Sequence, residues 1–228
     1  MTTHDLPATL ADFARAIAAR EDSAGTMEEA TQAVVRHLDA VDGAGISLVT
    51  SSDVTCAAPT HDFVERADAL QHELRDGPCI EALRSERRIH VPDLTAESRW
   101  PQWTKPVADE LGVRSVLALQ LYVDDQGLGA LNLYSMEVDA FDGDCVDEAE
   151  YFAAHAAAAL ASARRTDQFR EAMTTRTSIG QAQGILMARY GLDPDQAFRV
   201  LKRVSQDRNV KINQLALRIV GGADLDDL

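Results

Sequence analysis

The charge of this chain changes sign near residue 164, and this constrains its fold more than any other feature. Residues 1–163 contain 11 Lys and Arg against 29 Asp and Glu, a balance of −18. Residues 164–222 contain 11 against 5, a balance of +6, and residues 223–228 add −3. Since 228 residues suffice for two modest domains, the sequence predicts domains over 1–163 and 164–222, followed by an acidic tail.

The basic block is typical of a surface that binds a polyanion, because clustered Lys and Arg attract phosphates and release their counterions. A solvated helical face is the alternative. Apolar residues recur at helical spacing in three stretches, separated by Tyr190-Gly191, Asp193-Pro194 and a polar turn near Asn209. The pattern predicts three short helices that pack into one bundle.

The order and spacing of these residues resemble the ANTAR domain, an RNA-binding module of bacterial transcription antiterminators. The matching positions are Arg176, Ile179, Ala182 to Met187, Ala197, Phe198, Leu201, Ser205, Asn209, Lys211 and Ala216. One residue departs from the family, because Gln183 stands where Lys is usual. The neutral amide of glutamine can still form a hydrogen bond with a phosphate or a base edge, with less electrostatic attraction than a lysine would have.

The resemblance implies that the partner is RNA, as stem-loops in nascent transcripts. The residues expected to contact it are Arg176, Gln181, Gln183, Gly184, Arg189, Lys202, Arg203, Lys211, Gln214 and Arg218. Two alternatives stay open. The helices predicted over 193–205 and 211–220 also resemble a helix-turn-helix that binds DNA, although few side chains there could contact bases. The basic face could instead bind a partner protein without nucleic acid.

The first 163 residues show mixed helical and strand patterns. A capping box from Thr26 to Glu29 predicts a helix start, and residues 62–75 are predicted helical. The predicted strands are 46–49, 54–57, 88–91, and a hairpin of 113–123 and 128–135 with its turn at Asp124-Asp125. Strands joined by hairpins between helices predict an α+β fold with an antiparallel sheet.

A second resemblance, to the GAF domain, covers about residues 25–163, preceded by a helix with apolar residues from Leu6 to Ile17. It rests on Asp76 to Cys79, Arg99 to Pro101, the strand after Gly112, and Gly129 to Tyr134. The resemblance implies a sensory module that often dimerises and often holds a small molecule between sheet and loops. The sequence does not identify the signal or a cofactor.

Four residues of this half are candidates for a ligand pocket or sensor. Cys79 lies at a predicted helix start, where the dipole lowers a thiol pKa, so it is either a redox sensor or a packing residue. His90 is the histidine to test for haem. Trp100 and Trp103 either close the core or wall a pocket. An Asp124-Asp125 phosphoacceptor site is a weaker alternative to the turn.

No motif indicates catalysis, and the scattered histidines and three distant cysteines form no metal set, so a non-enzyme is expected. The cysteine spacing suits a reducing compartment. Without a predicted signal peptide or membrane span, we expect a cytoplasmic protein.

A long helix is predicted to join the two halves. Asp144 would cap it near Cys145, and no Pro or Gly interrupts it before Gly180. If the helix continues to Tyr190, its length is about 70 Å at 1.5 Å per residue. One small domain cannot bury such a helix, so a homodimer is predicted. The proposed seam contains Phe152, Ala159, Phe169 and Met173.

Overall fold

The structure is a computed structural model that describes residues 6–49, 54–84, 87–123 and 126–223. Its contacts divide the chain into two compact units, with the boundary between Arg164 and Arg165. The predicted turn residues Asp124-Asp125 and the tail residues 224–228 lie outside the described residues.

The first unit contains a five-stranded sheet in the described part of the chain, with helices before, between and after its strands. Its elements are α1 (Leu6–Ala18), α2 (Ser23–His37), β1 (Gly43–Val49), β2 (Val54–Ala57), α3 (Asp62–Leu74), α4 (Pro78–Arg84), β3 (Arg88–Val91), α5 (Pro101–Glu110), β4 (Ser115–Val123), β5 (Gln126–Ser135) and the start of α6 (Gly143–Tyr190).

The strand order is β2-β1-β5-β4-β3, and every neighbouring pair is antiparallel. The prediction of an antiparallel α+β fold is therefore confirmed. Strands β1 and β5 approach closely at Gly129, where a Cβ atom would lie 2.0 Å from the carbonyl oxygen of Ser47. Any larger residue at 129 would push the two strands apart.

Alternation along the strands gives the sheet two buried faces. Leu117 and Leu133 point to a core shared with α1, α2 and the first turns of α6, where the Phe13 and Phe152 rings meet edge to face at 4.7 Å. Val116 and Tyr134 point to the other core, which contains residues of α3 and α5. Each face of the sheet thus carries a core built from the unit's own side chains.

Two helices of this unit begin earlier than the capping signals predicted. The Asp22 side chain accepts from the Gly25 N–H at 2.8 Å and caps α2, so the box at Thr26 is wrong. The Asp142 side chain accepts from the Cys145 N–H at 2.9 Å, so Asp144 is not the cap of α6. In both cases an aspartate further upstream reaches the first free N–H groups.

The second unit contains the end of α6, α7 (Pro194–Asp207) and α8 (Ile212–Val220). Asp193 and Gln196 form a full capping box at α7, and α6 ends before Gly191, whose φ of +66° suits glycine. The three-helix prediction is confirmed. The core residues are Ala182, Leu186, Ala197, Leu201, Leu215, Ala216 and Ile219. Among the described helices, none combines the length and apolar character that crossing a membrane requires.

Candidate functional site

The basic side chains predicted to contact RNA lie on the surface of the second unit, outside its apolar core. Of the ten residues predicted to contact RNA, nine are exposed: Arg176, Gln181, Gly184, Arg189, Lys202, Arg203, Lys211, Gln214 and Arg218. Ala197 and Leu201 face inward on α7, which leaves Lys202 and Arg203 on its outer surface. Arg203 lies 3.6 Å from Asp207, a weak pair because both side chains are exposed.

Gln183 differs from the other nine, because it is half-buried and has a structural partner. Its Nε2 donates to the carbonyl oxygen of Pro194 at 3.2 Å, which joins α6 to the first residue of α7. The amide therefore helps position the start of α7. A lysine in the same place could make this contact only with its charged end group.

Lys211 is the residue that precedes α8, and it provides no side-chain cap to that helix. The first N–H groups of a helix carry partial positive charge, so a lysine at this position is unfavourable unless an anion lies nearby. A phosphate bound here would be attracted by both the ammonium group and the helix terminus.

Phe198, one of the positions that match the ANTAR pattern, lies on the surface of α7. The ring is 43% exposed, whereas the adjacent Ala197 is fully buried. Lys202 follows one turn later on the same side of the helix. An exposed aromatic ring beside a cation is a surface on which an unpaired base can stack.

The structure does not bring the four predicted sensor residues together. Cys79, Trp100 and Trp103 are buried on the side of the sheet that carries α3 and α5. His90 alternates with Ile89 and Val91 along β3 and therefore faces the opposite side, where its ring lies 6.2 Å from that of Phe141. Burial lowers the pKa of His90. A single pocket lined by all four residues is excluded.

The tryptophans close the core in this structure. Trp103 is fully buried on α5, and its indole N–H donates to the carbonyl oxygen of Ala67 at 2.9 Å. Trp100 is 3% exposed, with the Arg99 guanidinium 4.2 Å from its ring centroid. Both rings therefore fill space between α5 and the sheet.

A buried polar cluster around Asp68 was missed by the sequence reading. One carboxylate oxygen of Asp68 accepts from the Tyr134 hydroxyl at 2.5 Å and the Asn132 amide at 2.8 Å. The Gln71 amide donates to the same oxygen at 3.3 Å, and the Cys56 thiol donates to the other at 3.4 Å. Gly45 leaves room for it, since a Cβ there would lie 2.7 Å from Asp68.

This buried cluster affects whether the neighbouring thiols are ionised. Burial, followed by the negative charge of Asp68, raises the pKa of Cys79 to about 12. The same two causes raise the pKa of Cys56. Burial thus outweighs any effect of the helix start at Cys79, and the thiol stays protonated at neutral pH. The expectation of a lowered thiol pKa was wrong, and the packing interpretation of Cys79 fits the structure.

Asp68 gives the first unit a predictable pH dependence. Burial raises its pKa to about 6, against the donated hydrogen bonds, whereas an unfolded aspartate titrates near 3.8. The folded state binds more protons between these values, so the free energy of unfolding should fall as pH rises from below about 4 to above about 6, by on the order of 3 kcal/mol in all. The free energy of unfolding in urea should show this fall in the unmodified chain and not in the Asp68→Asn variant, whose side chain does not titrate. The variant Asp62→Asn, changed at an exposed position, is the control and should keep the fall. An Asp68→Asn profile parallel to that of the unmodified chain would contradict the prediction.

The residues predicted for a dimer seam occupy two different environments. Phe152 is fully buried against Phe13 and is unavailable to a second copy, because the first turns of α6 cover the sheet. That assignment was wrong. Ala159 is half-buried against the same core. Phe169 and Met173 lie beyond the sheet, at 67% and 48% exposure, four residues apart on α6.

Comparison with known families divides the chain in the same way. The GAF domain family matches residues 21–161, and the ANTAR domain family matches residues 167–220. No curated protein matches the chain in sequence.

Solved structures resemble this chain at low identity. The GAF domain from Acinetobacter phosphoenolpyruvate-protein phosphotransferase matches with a TM-score of 0.57 and 11% identity, over 73% of this chain and 99% of that one. Free methionine-R-sulfoxide reductase from Neisseria meningitidis, in complex with its substrate, matches with a TM-score of 0.55 and 16% identity, over 70% of this chain and 90% of that one. The Stigmatella aurantiaca phytochrome photosensory core module matches with a TM-score of 0.59 and 14% identity, over 93% of this chain and 45% of that one. Identities this low establish the fold alone.

Proposed function

This chain belongs to the GAF domain family and carries an ANTAR domain after it, and on that premise we propose that it is a signal-responsive transcription antitermination regulator. GAF domains sense signals and ANTAR domains bind RNA, an architecture that is regulatory and not catalytic. In the proposal, the second unit binds stem-loops in nascent transcripts and prevents termination. The first unit controls that binding in response to a signal.

The observation that carries this proposal is the outward-facing set of basic side chains in the unit that matches the ANTAR family. Lys202, Arg203 and Lys211 are exposed, and the only ion pair described among them is the weak contact of Arg203 with Asp207. RNA backbones bind such surfaces through phosphate contacts, and unpaired bases add stacking on exposed aromatic rings such as Phe198. Gln183 contributes by holding the start of α7.

A helix-turn-helix that binds DNA is the second candidate function, and the geometry gives it less support. Asn213 is half-buried, and its Oδ1 accepts from the Gln214 backbone N–H at 2.8 Å. Gln214 and Arg218 are thus the exposed polar side chains left on α8 for base edges. Specific readout in a major groove normally needs several such contacts.

Capture of the full chain from a cell lysate tests the proposal against both alternatives. We expect nucleic acid to be retained, to be destroyed by RNase and to survive DNase. Loss with DNase alone would support the DNA-binding alternative. A protein partner retained after both nucleases, with no nucleic acid before them, would support a protein interaction module.

We also propose a homodimer, formed through the exposed part of α6. Phe169→Glu should halve the mass measured by sedimentation, because an ionised carboxylate facing an apolar seam is costly to bury. Gln168→Glu is the matched control, since Gln168 is also exposed and lies one residue away around the helix. A Phe169→Glu chain with the mass of the unmodified chain would remove this residue from the interface.

A further inference from the structure

A cleft of about 570 Å³ opens in the first unit between β4 and α6. It lies on the face of the sheet opposite the Asp68 cluster. Leu119, Ala153 and Ala157 form its floor, and all three are buried. Its volume falls in the range of pockets that hold small molecules.

The cleft exists because of two features of the chain. Strand β3 begins at Arg88, which pairs with Leu119, so residues 120–123 of β4 extend beyond the first residue of β3. Helix α6 places small side chains opposite, at Ala153 and Ala157 on the floor and at Ala154 and Ala158 on the rim. Larger residues at these alanines would fill the space.

The rim of the cleft carries aromatic rings and the cation of Arg87. The Arg87 guanidinium lies 4.3 Å from the Tyr122 ring centroid and donates to the Tyr122 hydroxyl at 3.0 Å. Tyr151 is 51% exposed beside it. Glu150 also borders the cleft, but it pairs with Arg88 at 2.9 Å. In the described ranges no carboxylate pairs with Arg87, so the described side chains that line the cleft carry one positive charge that is not neutralised by an ion pair among them.

We propose that this cleft binds a small planar aromatic molecule that carries one anionic group. The aromatic ring of the ligand lies on the apolar floor, and the tyrosine rings pack against the face or edge of that ring. Arg87 donates hydrogen bonds to the carboxylate or sulfonate group of the ligand. The stacked guanidinium is already oriented by Tyr122, which lowers the entropy lost on binding.

The cleft also suggests how a ligand reaches the second unit. Ala154 and Ala158 belong to α6, which continues without interruption to Tyr190. A ligand that fits one packing of α6 better than another shifts their populations. This regulatory part rests on the proposed function, whereas the cleft and the class of its ligand do not.

The test uses the full chain and the probe 8-anilinonaphthalene-1-sulfonate, an aromatic anion that fluoresces in apolar sites. We expect saturable binding that weakens at least about tenfold in the double variant Ala154→Leu and Ala158→Leu, whose exposed positions tolerate a larger side chain without core strain. Arg87→Gln should weaken binding about 3- to 10-fold. Ala188→Leu, an exposed alanine on the same helix, is the control and should change nothing.

Competition tests the charge of the ligand. 1-Naphthoate should displace the probe at concentrations about tenfold below those of neutral 1-naphthamide. Equal displacement by both, or probe binding indifferent to the double variant, would overturn the proposal. So would a fall in sedimenting mass in the double variant, because a second copy would then occupy the cleft. An unmodified chain that binds the probe but no RNA hairpin would contradict the proposed function and leave the cleft result standing.

Discussion

Replacing Lys202, Arg203 and Lys211 together by alanine is expected to lower the affinity for hairpin RNA by about 10- to 100-fold at low salt. Each exposed cation contributes roughly 0.5–1 kcal/mol through one phosphate contact, and the three together give this range. All three side chains lie on the surface of the second unit, so their truncation leaves its apolar core intact.

The salt dependence identifies the cause of that loss. The slope of log affinity against log salt should fall by about 0.7 for each lost contact to a single-stranded segment, or about 2 in all. A variant with Arg66, Arg75 and Lys105 replaced by alanine is the control, since it removes the same charge from exposed positions of the first unit. If both triple variants lost affinity equally, general charge and not a defined interface would explain RNA binding.

The second large effect is expected from insertions in α6 near Arg165, where the two units meet in the chain. Each residue turns a helix by about 100°, so two inserted residues change the phase between the flanking segments by about 200°. Seven inserted residues change it by about 20°. If the first unit acts through this helix, the two-residue insertion should abolish signal-dependent readthrough of a terminator.

The seven-residue insertion is the matched control, because it lengthens the helix more and disturbs its phase less. We expect it to retain most of the response. Direct RNA binding should survive in both variants, since the bundle core lies beyond the insertion point. Equal behaviour of the two insertions in the readthrough assay would show that α6 is a passive tether.

The features that could be predicted from the sequence depend on neighbours along the chain. Helix α7 is an example, because its Asp193 cap and its buried Ala197 and Leu201 all follow from local spacing. The β4–β5 pairing likewise follows from alternation on both sides of a short turn. Helix α5 was not predicted, since Pro106 within it argues against a helix locally, while the burial of Trp103 stabilises it.

The features that could not be predicted depend on residues far apart in the chain. Asp68 meets Asn132 and Tyr134 only when α3 packs on the sheet, and no local pattern marks that contact. The pKa of Cys79 depends on the same burial, which reverses the effect expected from its helix start. His90 is predicted as a pocket or sensor residue together with the tryptophans, because the sequence did not show which face of the sheet its side chain would occupy on β3.

The most direct measurement compares the affinity of the full chain for an RNA hairpin and for a DNA duplex of equal length, at the same salt concentration. In the proposed function, an RNA hairpin would present unpaired bases to Phe198 and phosphates to Lys202 and Lys211, whereas a paired duplex offers phosphates but no unpaired base that can stack on the ring. The account predicts tighter binding of the hairpin at every salt concentration. Equal affinities, or tighter binding of the duplex, would contradict it.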